Sequence, residues 1–222
     1  MISNIYLAFD IDGTIYDAGD ILEESFREGV LSFIEGGFCK SMNIPARDEI
    51  IATLGLTLDD IFLKLFPLLD QDERIRLSVK CTDNLVNMIR EKKGKLIDGV
   101  DETLKILNSM NYNMLVASNG ARDYVEAILE AYNLKRFFSG PFIYAEGKIR
   151  NKSEIIRRYM ELNPERRLIM IGDRATDLAA AKDNNIPFIG CAFGHAGEDE
   201  IKDEKYIVHR FSDITEILKK IL

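Results

Sequence analysis

A chain of 222 residues, 46% hydrophobic and 30% charged, is long enough to bury a sizeable core and has an ordinary globular composition. Its formal net charge of −8 counts against a general nucleic-acid-binding or anionic-membrane surface. Cys39, Cys81 and Cys191 form no CxxC pair and read as free thiols rather than a disulfide framework, and with no apolar run near the roughly 18 residues of a membrane span and no leader pattern, the expected location is cytoplasmic.

The first element is the apolar run Ile5-Tyr6-Leu7-Ala8-Phe9, which has the composition of a strand buried on both faces. It breaks into Asp10, Asp12, Gly13 and Thr14. In extended backbone alternate side chains share a side, so Asp10 and Asp12 project together while Ile11 turns away. Their Cα atoms then lie about 6.6 Å apart, from a rise of about 3.3 Å per residue. Two readings stand side by side. Carboxylates at the end of a buried strand are costly unless they bind a cation or do acid–base work; alternatively each caps local amides in an Asx turn.

From roughly 18 to 94 the chain reads as helical. Ile21, Phe26, Val30, Phe33 and Ile34 recur at helical spacing up to Gly36-Gly37. Arg47 to Leu54 predicts a short helix stopped by Gly55, Asp59 to Leu69 a third with Pro67 near its end, and Asp72 to Lys92 a long fourth closed by Gly94. This block reads as a helical subdomain inserted into the fold that the first strand begins.

After Asp98 the pattern becomes alternating strand and helix. Strands are predicted at Met114–Ala117, Phe142–Tyr144, Leu168–Ile171, Phe188–Gly190 and Tyr206–Val208. Helices are predicted after Gly99, at Arg122–Tyr132, Lys152–Met160, Asp177–Asn184 and Asp213–Leu222. Such alternation argues for an α/β fold: a Rossmann-like, doubly wound parallel sheet that gathers ligands beyond the carboxyl ends of its strands.

Polar residues follow those strands. Ser118-Asn119-Gly120 stands before a helix, where amides and a hydroxyl can hold an anion or simply cap the helix. Gly172-Asp173-Arg174-Ala175-Thr176-Asp177 places two more carboxylates beyond an apolar strand, again open to a capping reading. Lys152 opens a helix, a position the helix dipole disfavours unless an anion faces it, although a lysine is also commonly a solvated surface residue. His195 and His209 fall outside any HExxH or Cys/His pattern, so a metal here would be a hard cation on carboxylates rather than zinc.

Taken in order, Asp10-Ile11-Asp12-Gly13-Thr14, Ser118, Lys152 and Gly172-Asp173-Arg174-Ala175-Thr176-Asp177 resemble the four motifs of the haloacid dehalogenase superfamily, in its phosphoglycolate phosphatase-like branch. The resemblance covers nearly the whole chain. It implies a catalytic core of residues 1–16 and 95–222 and a helical C1 cap of residues 17–94. It also implies a Mg²⁺-dependent phosphatase that hydrolyses a small phosphomonoester through an aspartyl-phosphate. Asp10 would be the nucleophile and Asp12 the general acid and base. Ser118 and Lys152 would be catalytic, with Thr14, Asn119 and Gly120 contacting the substrate. Asp10, the backbone carbonyl of Asp12, Asp173 and Asp177 would hold Mg²⁺. The protein would be a monomer or weak homodimer, without nucleic-acid or membrane partners.

The resemblance leaves the substrate open, because Lys152 is followed by Ser153 where many members of this branch have proline. Nucleoside monophosphates are an alternative. A beta-phosphoglucomutase-like activity would need a cap arginine, where the matching position here is Ala52 and the stretch 51–60 has no Lys or Arg; Arg47 and Lys64 are the cap cations left to supply one. A dehalogenase would lack Asp12, and a phosphonatase would need a cap lysine such as Lys40 or Lys64. A non-catalytic receiver domain would have no use for the helical insertion.

Overall fold

The computed structural model describes residues 4–38, 41–195 and 199–221. The readings made of Cys39, Lys40 and the terminal Leu222 lie outside them. In chain order the elements are β1 (Ile5–Phe9), β2 (Tyr16–Asp17), α1 (Gly19–Glu35), α2 (Arg47–Ile51), α3 (Leu58–Leu65) and α4 (Gln71–Arg90). Then come β3 (Lys95–Leu96), α5 (Val100–Ser109), β4 (Asn113–Val116), α6 (Arg122–Ala131), α7 (Lys152–Leu162) and β5 (Arg167–Gly172). The chain closes with α8 (Ala175–Asp183), β6 (Phe188–Cys191), β7 (Ile207–Val208) and α9 (Ile214–Ile221).

Five of the strands form one parallel sheet in the order β4-β1-β5-β6-β7. The pleat sends alternate residues to opposite faces. Leu7, Phe9, Met114, Val116, Ile169 and Ile171 enter one core. Ala8, Leu115, Ala117, Leu168 and Met170 enter the other, against Ile155, Ile156 and Tyr159 of α7 and Ala180 and Ala181 of α8. Both faces are therefore covered, which is why the strands read as continuous apolar runs rather than alternating ones.

The insertion α1–α4 is built on the long pair α1 and α4. Gly29 of α1 sits against the backbone of Cys81 in α4, where a Cβ would stand 3.1 Å from its Cα and force the helices apart. Phe26 stacks on Phe62 at 5.5 Å, and Phe62 on Phe66 at 5.7 Å, which ties α1 to α3. Asp70 and Glu73 form a reciprocal capping box that starts α4. The insertion leaves and rejoins the rest of the chain through the antiparallel pair β2–β3, reinforced by a 2.7 Å bond from the Tyr16 hydroxyl to the Lys93 carbonyl.

Three expectations need correction. The pair β2–β3 falls where only helix boundaries were expected; two residues per strand carry no readable periodicity. Phe142–Tyr144 is not a strand. The edge of β4 is instead met by Phe138, and the Ser139 amide donates to the Met114 carbonyl at 2.8 Å. Pro141 follows with no N–H to give, and the Ile143 amide is satisfied by the Tyr159 hydroxyl at 3.2 Å rather than by a ladder. Helices α2 and α3 are also shorter than the spacing suggests, ending at Ile51 and Leu65.

Candidate active site

The site lies at the carboxyl ends of β1, β4 and β5, and each strand contributes a polar turn. After β1 the chain curls back on itself, with the Ile15 and Tyr16 amides both donating to the Ile11 carbonyl at 2.9 Å. That curl requires Gly13 at φ +74°, lying against the Asp173 carboxylate. Asp10 and Asp12 leave it buried and line one common cavity, while Ile11 turns into the core. Thr14 donates to Asp173 at 3.4 Å.

Beyond β4, the Ser118 hydroxyl accepts the Gly120 amide at 3.0 Å in the turn that precedes α6. Asn119 donates its side-chain amide to the Gly55 carbonyl of the insertion at 2.8 Å, so the helical block is seated on the sheet at this point. Beyond β5, Asp173 accepts the His195 amide at 2.8 Å, and Asp177 accepts the Arg174 amide at 2.9 Å where α8 begins. Lys152 is the first residue of α7 and is only 1% exposed. Its Nζ lies 2.8 Å from Asp10 Oδ1 and also bonds Asp177 Oδ1.

Carboxylates Asp10, Asp173 and Asp177 offer oxygens within 4.8 Å of one another, all of them buried. Burial is the first cause that raises each above the usual aspartate range, and neighbouring carboxylates add to it. Lys152 opposes the rise at all three. Burial alone would depress Lys152, but Asp10 and Asp177 outweigh it and hold the ammonium charged. One lysine against three carboxylates leaves an acidic excess, and Asp10 Oδ2 is buried with no hydrogen-bond partner among the described residues. An all-oxygen set of this kind fits a hard divalent cation. The Asp12 carboxylate stands outside that group. It is pushed up to about 6 by burial, against a hydrogen bond from the Tyr124 hydroxyl and the charge of Lys152.

The structure thus brings together the residues singled out from sequence: Asp10, Asp12, Ser118, Asn119 and Gly120 around the cavity, with Lys152, Thr14, Asp173 and Asp177 behind it. Tyr124 was missed, because a tyrosine among the apolar residues of α6 reads as core. The His195 amide was missed as well, since a backbone donor leaves no trace in residue type.

The sequence pattern of haloacid dehalogenase-like hydrolases matches residues 7–191. The chain belongs to that family. Among curated relatives, this hydrolase is 26% identical to the probable phosphatase IndB of Dickeya dadantii, over 93% of this chain and 90% of the relative. It is 25% identical to a phosphoglycolate phosphatase of Salmonella choleraesuis, over 85% and 81% of the two chains. The crystal structure of a predicted phosphatase from Clostridium acetobutylicum superposes on it with a TM-score of 0.80 at 25% identity, covering 100% of this hydrolase and 99% of that chain.

Proposed function

We propose that this hydrolase is a Mg²⁺-dependent phosphatase that cleaves a small-molecule phosphomonoester through an aspartyl-phosphate. The observation that carries the reading is the state of Asp10. One of its oxygens is clamped by Lys152 at 2.8 Å, while the other is buried and unpartnered in a carboxylate that lines the cavity. A carboxylate oriented in this way is a nucleophile with one fixed oxygen and one free oxygen.

Asp10 attacks phosphorus, the ester P–O bond breaks, and Asp12 gives its proton to the departing oxygen. Asp12 then takes a proton from water as the water attacks phosphorus, which releases inorganic phosphate and restores Asp10. With its carboxyl held near 6, Asp12 can be populated in both protonation states close to neutral pH. Ser118, with the backbone of Asn119 and Gly120, faces the phosphoryl oxygens, and Thr14 steadies Asp173. Asp10, Asp173 and the Asp12 carbonyl would hold Mg²⁺, with Asp177 completing the acidic group while it anchors Lys152. Bound there, Mg²⁺ supplies positive charge that offsets repulsion between the carboxylates and a phosphate dianion. Residues 17–94 act as a cap that closes over the substrate, entering and leaving side by side through β2 and β3.

The test is turnover of p-nitrophenyl phosphate by the parent protein and by Asp10→Asn, with Mg²⁺ and with excess chelator. The variant should lose at least about a thousandfold in kcat while keeping its circular dichroism, and the chelator should silence the parent. Turnover by Asp10→Asn within tenfold of the parent would remove the nucleophile assignment.

A further inference from the structure

The cavity above Asp10 and Asp12 has a volume of about 70 Å³, space for a few water-sized groups beside the reacting phosphorus. Its outer wall comes from the insertion and is mostly apolar, with Leu22 and Phe26 of α1, Ile50 and Leu54 around α2, and Ile61 and Phe62 of α3; its polar side chains are Thr53, whose hydroxyl donates to the Ile50 carbonyl, and Thr82. Cys81 and Leu85 of α4 continue it, and burial pushes the Cys81 thiol up to about 12, so it too stays uncharged. No lysine or arginine is among the described residues that line this space.

The cations of the surrounding elements lie outside this lining. Arg47 donates to the Gly19 carbonyl at 3.0 Å. Arg174 pairs with Glu200 at 3.1 Å, Arg122 is bound to Glu146, and Lys64 is exposed on α3. Lys152 is occupied by Asp10 and Asp177.

One polar group on the wall stands out. Asn119 is 7% exposed, and its side-chain nitrogen is fixed by the Gly55 carbonyl, which identifies the remaining atom as Oδ1. That oxygen is buried without a partner among the described residues. It is a hydrogen-bond acceptor, so it welcomes a donor and repels an anion.

Resting on the phosphatase reading above, we propose that the alcohol released by this enzyme is uncharged and carbon-rich, an alkyl or aryl group. A second anion on the leaving group, whether carboxylate or phosphate, would have to leave water for a mostly apolar lining whose polar side chains around it carry no positive charge, with no lysine or arginine among the described lining residues to receive it. Sugar bisphosphates and carboxylated esters are therefore disfavoured by the cavity itself. Anions reach the catalytic end only as the phosphoryl group, where Lys152 and the proposed metal lie.

The experiment compares two esters of nearly equal shape, isobutyl phosphate and phosphoglycolate, in which two methyl groups replace two carboxylate oxygens. With Mg²⁺ present, kcat/KM should favour isobutyl phosphate by about a hundredfold or more. Binding of the non-hydrolysable pair isopentylphosphonate and 3-phosphonopropionate, followed by calorimetry, should show the same order. Phosphoglycolate turned over within tenfold of isobutyl phosphate, or 3-phosphonopropionate bound as tightly as its alkyl partner, would overturn the proposal. The binding arm keeps the two claims separate: a protein that turns over neither ester nor p-nitrophenyl phosphate refutes the phosphatase reading, while the phosphonate affinities still decide whether the cavity rejects a second charge.

Discussion

Lys152→Met should destabilise the metal-free protein severely, and more so at high pH. The lysine is almost wholly buried, with Nζ 2.8 Å from Asp10 and bonded to Asp177. Methionine fills similar space but leaves two buried carboxylates without their cation, a change that costs about 3–5 kcal/mol. For a chain of this size each kcal/mol moves Tm by about 2–4 °C, so a fall of about 6–20 °C is expected. The pH dependence follows from the direction of the aspartate shifts. Burial raises Asp10 and Asp177 above their ordinary 3.8, so their contribution to stability is greatest below that value and is lost as pH rises through the raised, folded values. Removing Lys152 takes away an influence that lowers both, so their folded values climb further. At pH 5 the carboxylates of the variant take up protons and much of the penalty disappears; at pH 8 they do so only at a cost. Thermal denaturation in chelator, followed by circular dichroism at both pH values, measures this directly. A deficit below about 1 kcal/mol at pH 8, or one equal at both, would mean that the lysine does not neutralise the buried pair.

Tyr124→Phe removes the phenol that donates to Asp12. A hydrogen bond to a charged group is worth roughly 1.5–3 kcal/mol, or about 1–2 pH units, and it lowers Asp12 against the effect of burial. The limb of the kcat/KM profile set by Asp12 should therefore move up by about one unit or more; an unmoved limb would detach Tyr124 from the working carboxylate. Gly13→Ala combines an unfavourable φ of +74° with a Cβ that overlaps the Asp173 carboxylate. Mg²⁺ affinity, read from the cation's effect on Tm, should fall by about 10–100-fold, and an unchanged titration would show that Asp173 does not hold the ion.

Much of the fold was legible because its strands are buried on both faces. Ile5–Phe9 and Leu168–Ile171 are unbroken apolar runs that stop at aspartates, and both the strands and the turns after them lie where that pattern puts them. The candidate site was legible for a related reason: Asp10, Ser118 and Asp173 follow the three adjacent strands β1, β4 and β5, so a parallel sheet necessarily gathers them at one end. Phe142–Tyr144 misled because three apolar residues in a loop look like three in a strand, and only the proline and the Tyr159 hydroxyl decide between them. The apolar cavity wall could not be read at all. Leu22, Ile50 and Phe62 occupy ordinary core spacings, and nothing in the sequence tells a side chain facing a substrate from one facing another helix.

The sheet order carries a consequence for biosynthesis. β1 is translated before either of its neighbours, yet it finishes between them, Ala8 beside Leu115 on one side and Met170 on the other. At roughly 5–20 residues per second, on the order of ten to thirty seconds separate its appearance from that of its last partner. During that interval the helices α1–α4 can pack on one another, while the apolar strand β1 waits with both hydrogen-bonding edges open. A nascent chain cut short before Arg167 exposes one of those edges permanently. Soluble yield should therefore depend on whether chaperones shield Ile5–Phe9 until translation is complete, more than on the equilibrium stability of the finished molecule.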